Sequence, residues 1–272
     1  MNYKTAFFMA WGNFLSIPCP SKKWNPEERD LMLVFLPVIG LVIGVLWCLI
    51  WVLLKKLGIS FYIDAAILTL YPFVVSGLMH LDGFMDCCDA ILSRKPLAER
   101  QRILKDSSVG AFAVVSVLML FMMLYSAMCA RLQSDSSGFM AVPWDFMVLL
   151  WIPAVTRALS ARAVLIKKSI GHSQYQDLPK GKKKKYGRVC LAMAVFVQVI
   201  PLLIILKNPS DLFGTGKWLL LQNFLLIFVV VNVVHYVALK FCTKQLGGMS
   251  GDISGFAITV AELAAVIMLG IL

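Results

Sequence analysis

The chain has 272 residues, 60% of them hydrophobic and 15% charged, with a formal net charge of +11 and a mean hydropathy of +0.80. A soluble domain of this size is nearer about 45–50% apolar and about 25% charged, so a soluble enzyme is excluded and a polytopic membrane protein is implied. No polar stretch is long enough to build a second core, so residues 1–272 read as one all-α, membrane-embedded domain.

Residues Tyr3 to Ile17 are mostly apolar with one charge, Lys4, and Pro18-Cys19-Pro20 follows where a signal peptide would need a small-residue cleavage site. They read as an N-terminal interfacial or partly buried helix. Seven further blocks are long enough to span a bilayer: 31–54, 61–79, 110–130, 143–166, 186–206, 217–241 and 252–272. The last opens with Asp252 and carries Glu262, so it is expected to be partly buried in protein. The seven cysteines form no C-x-x-C pair, which excludes a zinc or redox motif and predicts free thiols.

The basic residues sort by loop. Segments 18–30, 80–109, 167–188 and 240–251 hold 18 of the 26 Lys and Arg, whereas 55–60, 131–142 and 207–217 hold five. By the positive-inside rule the first set is cytoplasmic. The positive charge is therefore mostly topology, including the run Lys182 to Lys185, and no basic surface interleaved with aromatics points to nucleic acid.

The most unusual polar stretch is His80-Leu81-Asp82-Gly83-Phe84-Met85-Asp86-Cys87-Cys88-Asp89. Asp82, Asp86 and Asp89 fall at i, i+4 and i+7, which stacks them on one helical stripe. At about 6 Å and an effective dielectric near 20, each pair repels by about 3 kcal/mol. At the bilayer centre each would cost about 2.5–3.5 kcal/mol. They are expected outside the lipid as a solvated acidic face, or lining a watery cavity with a cationic partner or a metal such as Mg²⁺, which favours carboxylate oxygens plus substrate phosphate. Gly83 permits close approach of backbone or ligand. His80 contributes only if the chain turns before Asp82.

Arg94, Lys95, Arg100, Arg102 and Lys105 follow directly, suited to phosphate oxygens next to a metal as well as to a positive-inside flank. Asp106-Ser107-Ser108 reads as a helix cap. Arg157 lies in the middle of block 143–166 and calls for an acidic partner, while Arg162 can snorkel to the nearer end. The turn Gly247-Gly248-Met249-Ser250-Gly251-Asp252 leads into the last block and is no Walker loop. Asp252 and Glu262 share a helix face about 15 Å apart.

Three of these motifs in order, H-L-D-G-F-M-D-C-C-D at 80–89, R-I-L-K-D-S-S-V-G at 102–110 and G-G-M-S-G-D-I-S-G at 247–255 with Glu262 behind it, resemble the cobalamin synthase (adenosylcobinamide-GDP ribazoletransferase) family. The runs F-F-M-A-W-G-N-F-L-S-I-P and L-P-V-I-G-L-V-I-G also resemble it, so the likeness spans the chain. Ala90 and Ser108 depart from the family pattern, which usually has glycine and a basic residue there; the second change puts a phosphate contact at 108 in doubt.

The resemblance implies transfer of the cobinamide phosphate of adenosylcobinamide-GDP to the ribose hydroxyl of α-ribazole or its phosphate, with GMP leaving. It implies Mg²⁺ on Asp82, Asp86 and Asp89, with His80 as a further catalytic residue. Gly83, Arg102, Lys105, Asp106, Ser107, Arg157, Gly248, Gly251, Asp252 and Glu262 are then expected to bind substrate or phosphate. The expected setting is the plasma membrane with the site loops facing the cytoplasm, a lipid bilayer but no nucleic acid as partner, and a homo-oligomer is compatible with it. The competing classes are a membrane prenyltransferase, a CDP-alcohol-phosphotransferase-like enzyme and a transporter. A single Asp in the second loop counts against the prenyltransferase, and the lack of an internal repeat against the transporter.

Overall fold

A computed structural model describes residues 2–133, 148–171, 180–207 and 216–272. Among these residues there is no strand, and the helices run as follows. α1 is Tyr3–Phe14, α2 Arg29–Val34, α3 Leu36–Leu57, α4 Phe61–Val75, α5 Met79–Leu92, α6 Leu97–Ile103, α7 Ala111–Gln133, α8 Val148–Ile166, α9 Lys180–Lys207, α10 Lys217–Leu246 and α11 Gly251–Ile271. The protein is an all-α, multi-pass membrane bundle. Six helices are long and apolar enough to cross a bilayer: α3, α7, α8, α9, α10 and α11.

The sequence blocks map onto these with two differences. Block 31–54 starts late because Arg29–Val34 breaks off as its own short helix, and Pro37 sits in the first turn of α3, where its missing N–H costs nothing. Block 61–79 is not one straight span: α4 ends at Val75 and α5 leaves its direction by 89°. α5 thus lies outside the six long spans. The first residues of block 143–166 lie outside the described residues, as do most of segments 131–142 and 207–217.

α8 and α11 are the most buried spans, and the other helices pack around them. α3 reaches α8 through Gly40 and Gly44, one turn apart. A Cβ at either would fall 2.3 Å from the Pro153 carbonyl oxygen or 2.1 Å from that of Leu150, so only glycine lets the two backbones touch, as in membrane helix pairs generally. The outward faces are apolar, for example Leu118, Met119 and Met122 on α7 and Val233, Tyr236 and Val237 on α10. All seven cysteines are free thiols.

Buried polar groups pair within the bundle. On α8, Arg157 is 1% exposed and donates to Glu262 Oε1 of α11 at 2.6 Å. The same oxygen accepts from the Thr156 hydroxyl at 3.0 Å. Ser160 Oγ and His235 Nε2 of α10 lie 2.8 Å apart, also buried.

Candidate active site

The site begins at the turn between α4 and α5. Gly77 (φ 65°) and Leu78 (φ 60°) are both left-handed. The Leu78 N–H donates to the Phe73 carbonyl at 2.9 Å and that of Gly77 to Val74 at 3.1 Å, which is a Schellman closure of α4. The chain therefore turns before Asp82, and α5 already runs at His80. His80 is buried and lines the same cavity as Asp82. Its carbonyl accepts from the Thr259 hydroxyl of α11 at 3.3 Å.

α5 presents the aspartate stripe with a gradient of burial: Asp82 exposed, Asp86 half-buried and Asp89 buried. α11 brings Asp252 against it. A Cβ on Gly83 would fall 2.7 Å from the Asp252 Cα, so glycine here sets how closely the two acidic helices approach. Burial pushes the Asp86 carboxyl up to about 6, helped by the charges of Asp82, Asp252 and Asp89. Among the described residues none of Asp82, Asp86 and Asp252 has a cationic partner in ion-pair range. Asp82 and Asp252 line a cavity of about 630 Å³ together with His80, Ser250, Gly251 and Ser254.

The glycine-rich turn is held by backbone pairing. Gly247, left-handed at φ 81°, ends α10. The Met249 N–H donates to the Lys168 carbonyl at 2.7 Å, and that of Ile170 to Met249 at 2.9 Å. Gly248 lies against this clip: a Cβ there would sit 2.9 Å from the Ile170 nitrogen. Beyond it, Ser250 caps α11 by accepting from the Ile253 N–H at 3.3 Å and donates to Asp252 Oδ2 at 3.2 Å. A Cβ on Gly251 would meet nothing within 4 Å; this glycine borders the open cavity.

Other expected site residues have different work. Asp89 Oδ2 accepts from the Gly110 N–H at 2.6 Å and Oδ1 from that of Ala113 at 2.9 Å. It caps α7 from another helix, a job expected of Asp106-Ser107-Ser108. Asp106 instead accepts from the Ser108 N–H at 2.9 Å, and that bond holds its exposed carboxyl below the usual range. Ser107 and Arg102 are exposed on the same segment. Arg157 and Glu262, expected on substrate, pair with each other inside the bundle while the Arg157 Nε stays without a partner, and Glu262 is the acidic partner Arg157 called for. Lys105 stays near the site: a Cβ on Gly171, next to cavity-lining Ile170, would lie 3.9 Å from its ammonium. Sequence reasoning missed Asn13, Ser250 and Ser254 as cavity residues; only Ser250, a Ser two positions before an Asp at a helix start, carried a signal.

Among the described residues no group of three His, Cys, Asp or Glu side chains forms a ready-made metal cage. Mg²⁺ does not need one, since one or two carboxylates plus substrate phosphates hold it. Unpaired, mutually repelling carboxylates on two helices beside a roomy cavity fit that mode of binding.

Residues 6–270 match the family model described as cobalamin-5-phosphate synthase. A protein of Clostridium perfringens (strain 13 / Type A) named adenosylcobinamide-GDP ribazoletransferase is 32% identical over 267 residues, 98% of each chain. One of the same name from Clostridium botulinum (strain Alaska E43 / Type E3) is 33% identical over 96% of this chain and 95% of its own. Another from Halalkalibacterium halodurans is 30% identical over 88% and 85%. No solved structure matches. With the family match running almost end to end, the chain belongs to the cobalamin-5-phosphate synthase family.

Proposed function

We propose that the protein transfers the cobinamide phosphate of adenosylcobinamide-GDP to the ribose hydroxyl of α-ribazole or α-ribazole phosphate. The ribose oxygen forms a bond to the phosphorus nearer the cobinamide. The bond from that phosphorus to the bridging oxygen breaks, and GMP leaves with the electron pair. The observation that carries this reading is the convergence of Asp82, Asp86 and Asp252 from two helices beside a cavity of about 630 Å³. Small-molecule sites are of this size.

Mg²⁺ bound with the substrate diphosphate would neutralise its charge and that of leaving GMP. Asp82 and Asp86 would hold it, with Asp252 facing them. A free carboxylate oxygen of the same set accepts the proton of the ribose hydroxyl. Lys105 meets phosphate oxygens at the rim. The glycine turn and its clip to 168–170 keep the α11 end fixed, so positioning supplies most of the catalysis. The loops carrying these residues face the cytoplasm of the cell that makes the nucleotide substrate, in its plasma membrane.

Purified protein in lipid vesicles tests the reading. Incubation with adenosylcobinamide-GDP and α-ribazole is expected to release GMP in step with the joined product, and only with Mg²⁺ present. Turnover of a polyprenyl diphosphate alone, or solute flux without turnover, would refute it.

A further inference from the structure

A second recess, of about 420 Å³, opens between α1 and the segment that follows it. Asn13 lines both this recess and the acidic cavity, so the two adjoin. Met9, Leu15 and Ile17 make an apolar floor, and Lys22, Lys23 and Trp24 line it as well. The segment is held in shape. The Ser16 N–H donates to the Val75 carbonyl at 2.8 Å and its hydroxyl to that of Val74 at 2.9 Å. The Trp11 indole N–H donates to Ile17 O at 3.1 Å, and the Cys19 thiol to Ser21 O at 3.0 Å. Trp24 is nonetheless 52% exposed, and among the described residues neither lysine has an acidic partner.

An exposed indole, with the Arg29 guanidinium over its ring at 6.0 Å from the centroid, beside two ammonium groups without an acidic partner suits one ligand chemistry: a flat heteroaromatic base for the ring and phosphate oxygens for the lysines. We propose that this recess binds the base and phosphate of a nucleotide whose reacting end lies against Asp82 and Asp252. The inference rests on the transferase reading above, which supplies two sources of that chemistry, the guanosine end of the donor and the acceptor nucleoside. Capture of an anionic lipid headgroup would need only an exposed basic surface. A formed recess sharing a wall residue with the acidic cavity favours the nucleotide.

The test uses full-length protein in zwitterionic vesicles. KM for each substrate and the Kd of GMP are measured for the wild type, Trp24→Ala, Trp24→Phe and Lys22→Ala/Lys23→Ala. Trp24→Ala and the double variant are expected to raise one KM about tenfold with little change in kcat, and Trp24→Phe to recover most of it, since stacking needs only a flat ring. A rise in donor KM together with GMP Kd assigns the guanosine end; a rise in acceptor KM alone assigns the acceptor. Variants that match the wild type, or that lose only affinity for vesicles containing anionic lipid, overturn the subsite and leave the reaction standing. A wild type that turns over neither substrate overturns the reaction, and titrations of the same variants with GMP and with α-ribazole then still decide the recess.

Discussion

Asp82, Asp86 and Asp89 share one stripe of α5, and substitution separates the charge role proposed for the first two from the capping contacts of the third. Asp82→Asn and Asp86→Asn keep shape and remove charge, so turnover is expected to fall at least about 100-fold, the scale of a lost charge-stabilising group, while thermal stability holds or rises as repulsion is relieved. Asp89→Ala instead strips two backbone N–H groups of their acceptor. It is expected to cost about 2–4 kcal/mol of stability, read as a lower melting temperature in detergent. If Asp89→Ala lost turnover at unchanged stability, its capping role would be refuted. The stripe itself was readable because three acids at i, i+4 and i+7 have one helical meaning. Asp89's partners were not, because they lie 21 and 24 residues away, across a tertiary contact that no local pattern encodes. Arg157 gave half its answer: an intramembrane arginine demands an acid, but whether that acid belongs to protein or substrate depends on helix packing. Glu262→Ala leaves the guanidinium buried without its partner and is expected to cost about 3–5 kcal/mol. Arg157→Met/Glu262→Leu together is expected to recover much of that and to keep turnover. Loss of donor binding at full stability in the double variant would return the pair to the substrate.

At the level of elements, the spans were readable because lipid demands about 20 apolar residues in a row, and six of the seven blocks became long helices where described. The bend at 75–79 was not, because Leu78 gives no local cue for a left-handed backbone, and only Gly77 beside it does. The closure of α4 re-aims α5 by 89° and so sets the acidic stripe beside α11 rather than in line with α4. The glycines that join elements were visible in the sequence without their partners. Gly44→Leu drives a side chain into the Leu150 carbonyl of α8. It is expected to cost about 3 kcal/mol or more and to reduce the folded, monodisperse fraction on size exclusion. Gly181→Leu in the first turn of α9, where an added Cβ meets nothing within 4 Å, puts the same side chain on a helix without that clash. Equal loss in both would mean that helix propensity, and not the α3–α8 contact, explains the effect.

For the whole molecule, the segments rich in Lys and Arg and the candidate site residues are drawn to the same end of the bundle. Asn13 and Leu33 flank segment 18–30; they line the cavity together with Asp82 on α5, Ser169 after α8, and Met249 and Asp252 between α10 and α11. The sequence placed these segments on one side by charge alone, and the geometry reaches the same grouping through contacts that use no charge count. Each basic residue near an anionic inner leaflet contributes about 1 kcal/mol, so 18 on one side against five on the other is a strong bias of orientation. In a background with the native cysteines replaced, Ser108→Cys on the α6–α7 segment is expected to resist a membrane-impermeant maleimide applied to intact cells, and to react once the cells are opened. Ile59→Cys, 40% exposed in the native chain between α3 and α4 at the opposite end, is expected to react from outside. The reverse pattern would place Asp82, Asp86 and Asp252 away from the nucleotide pool, and the proposed transfer would fail with the topology, because a site facing outward has no supply of the diphosphate it is built to hold.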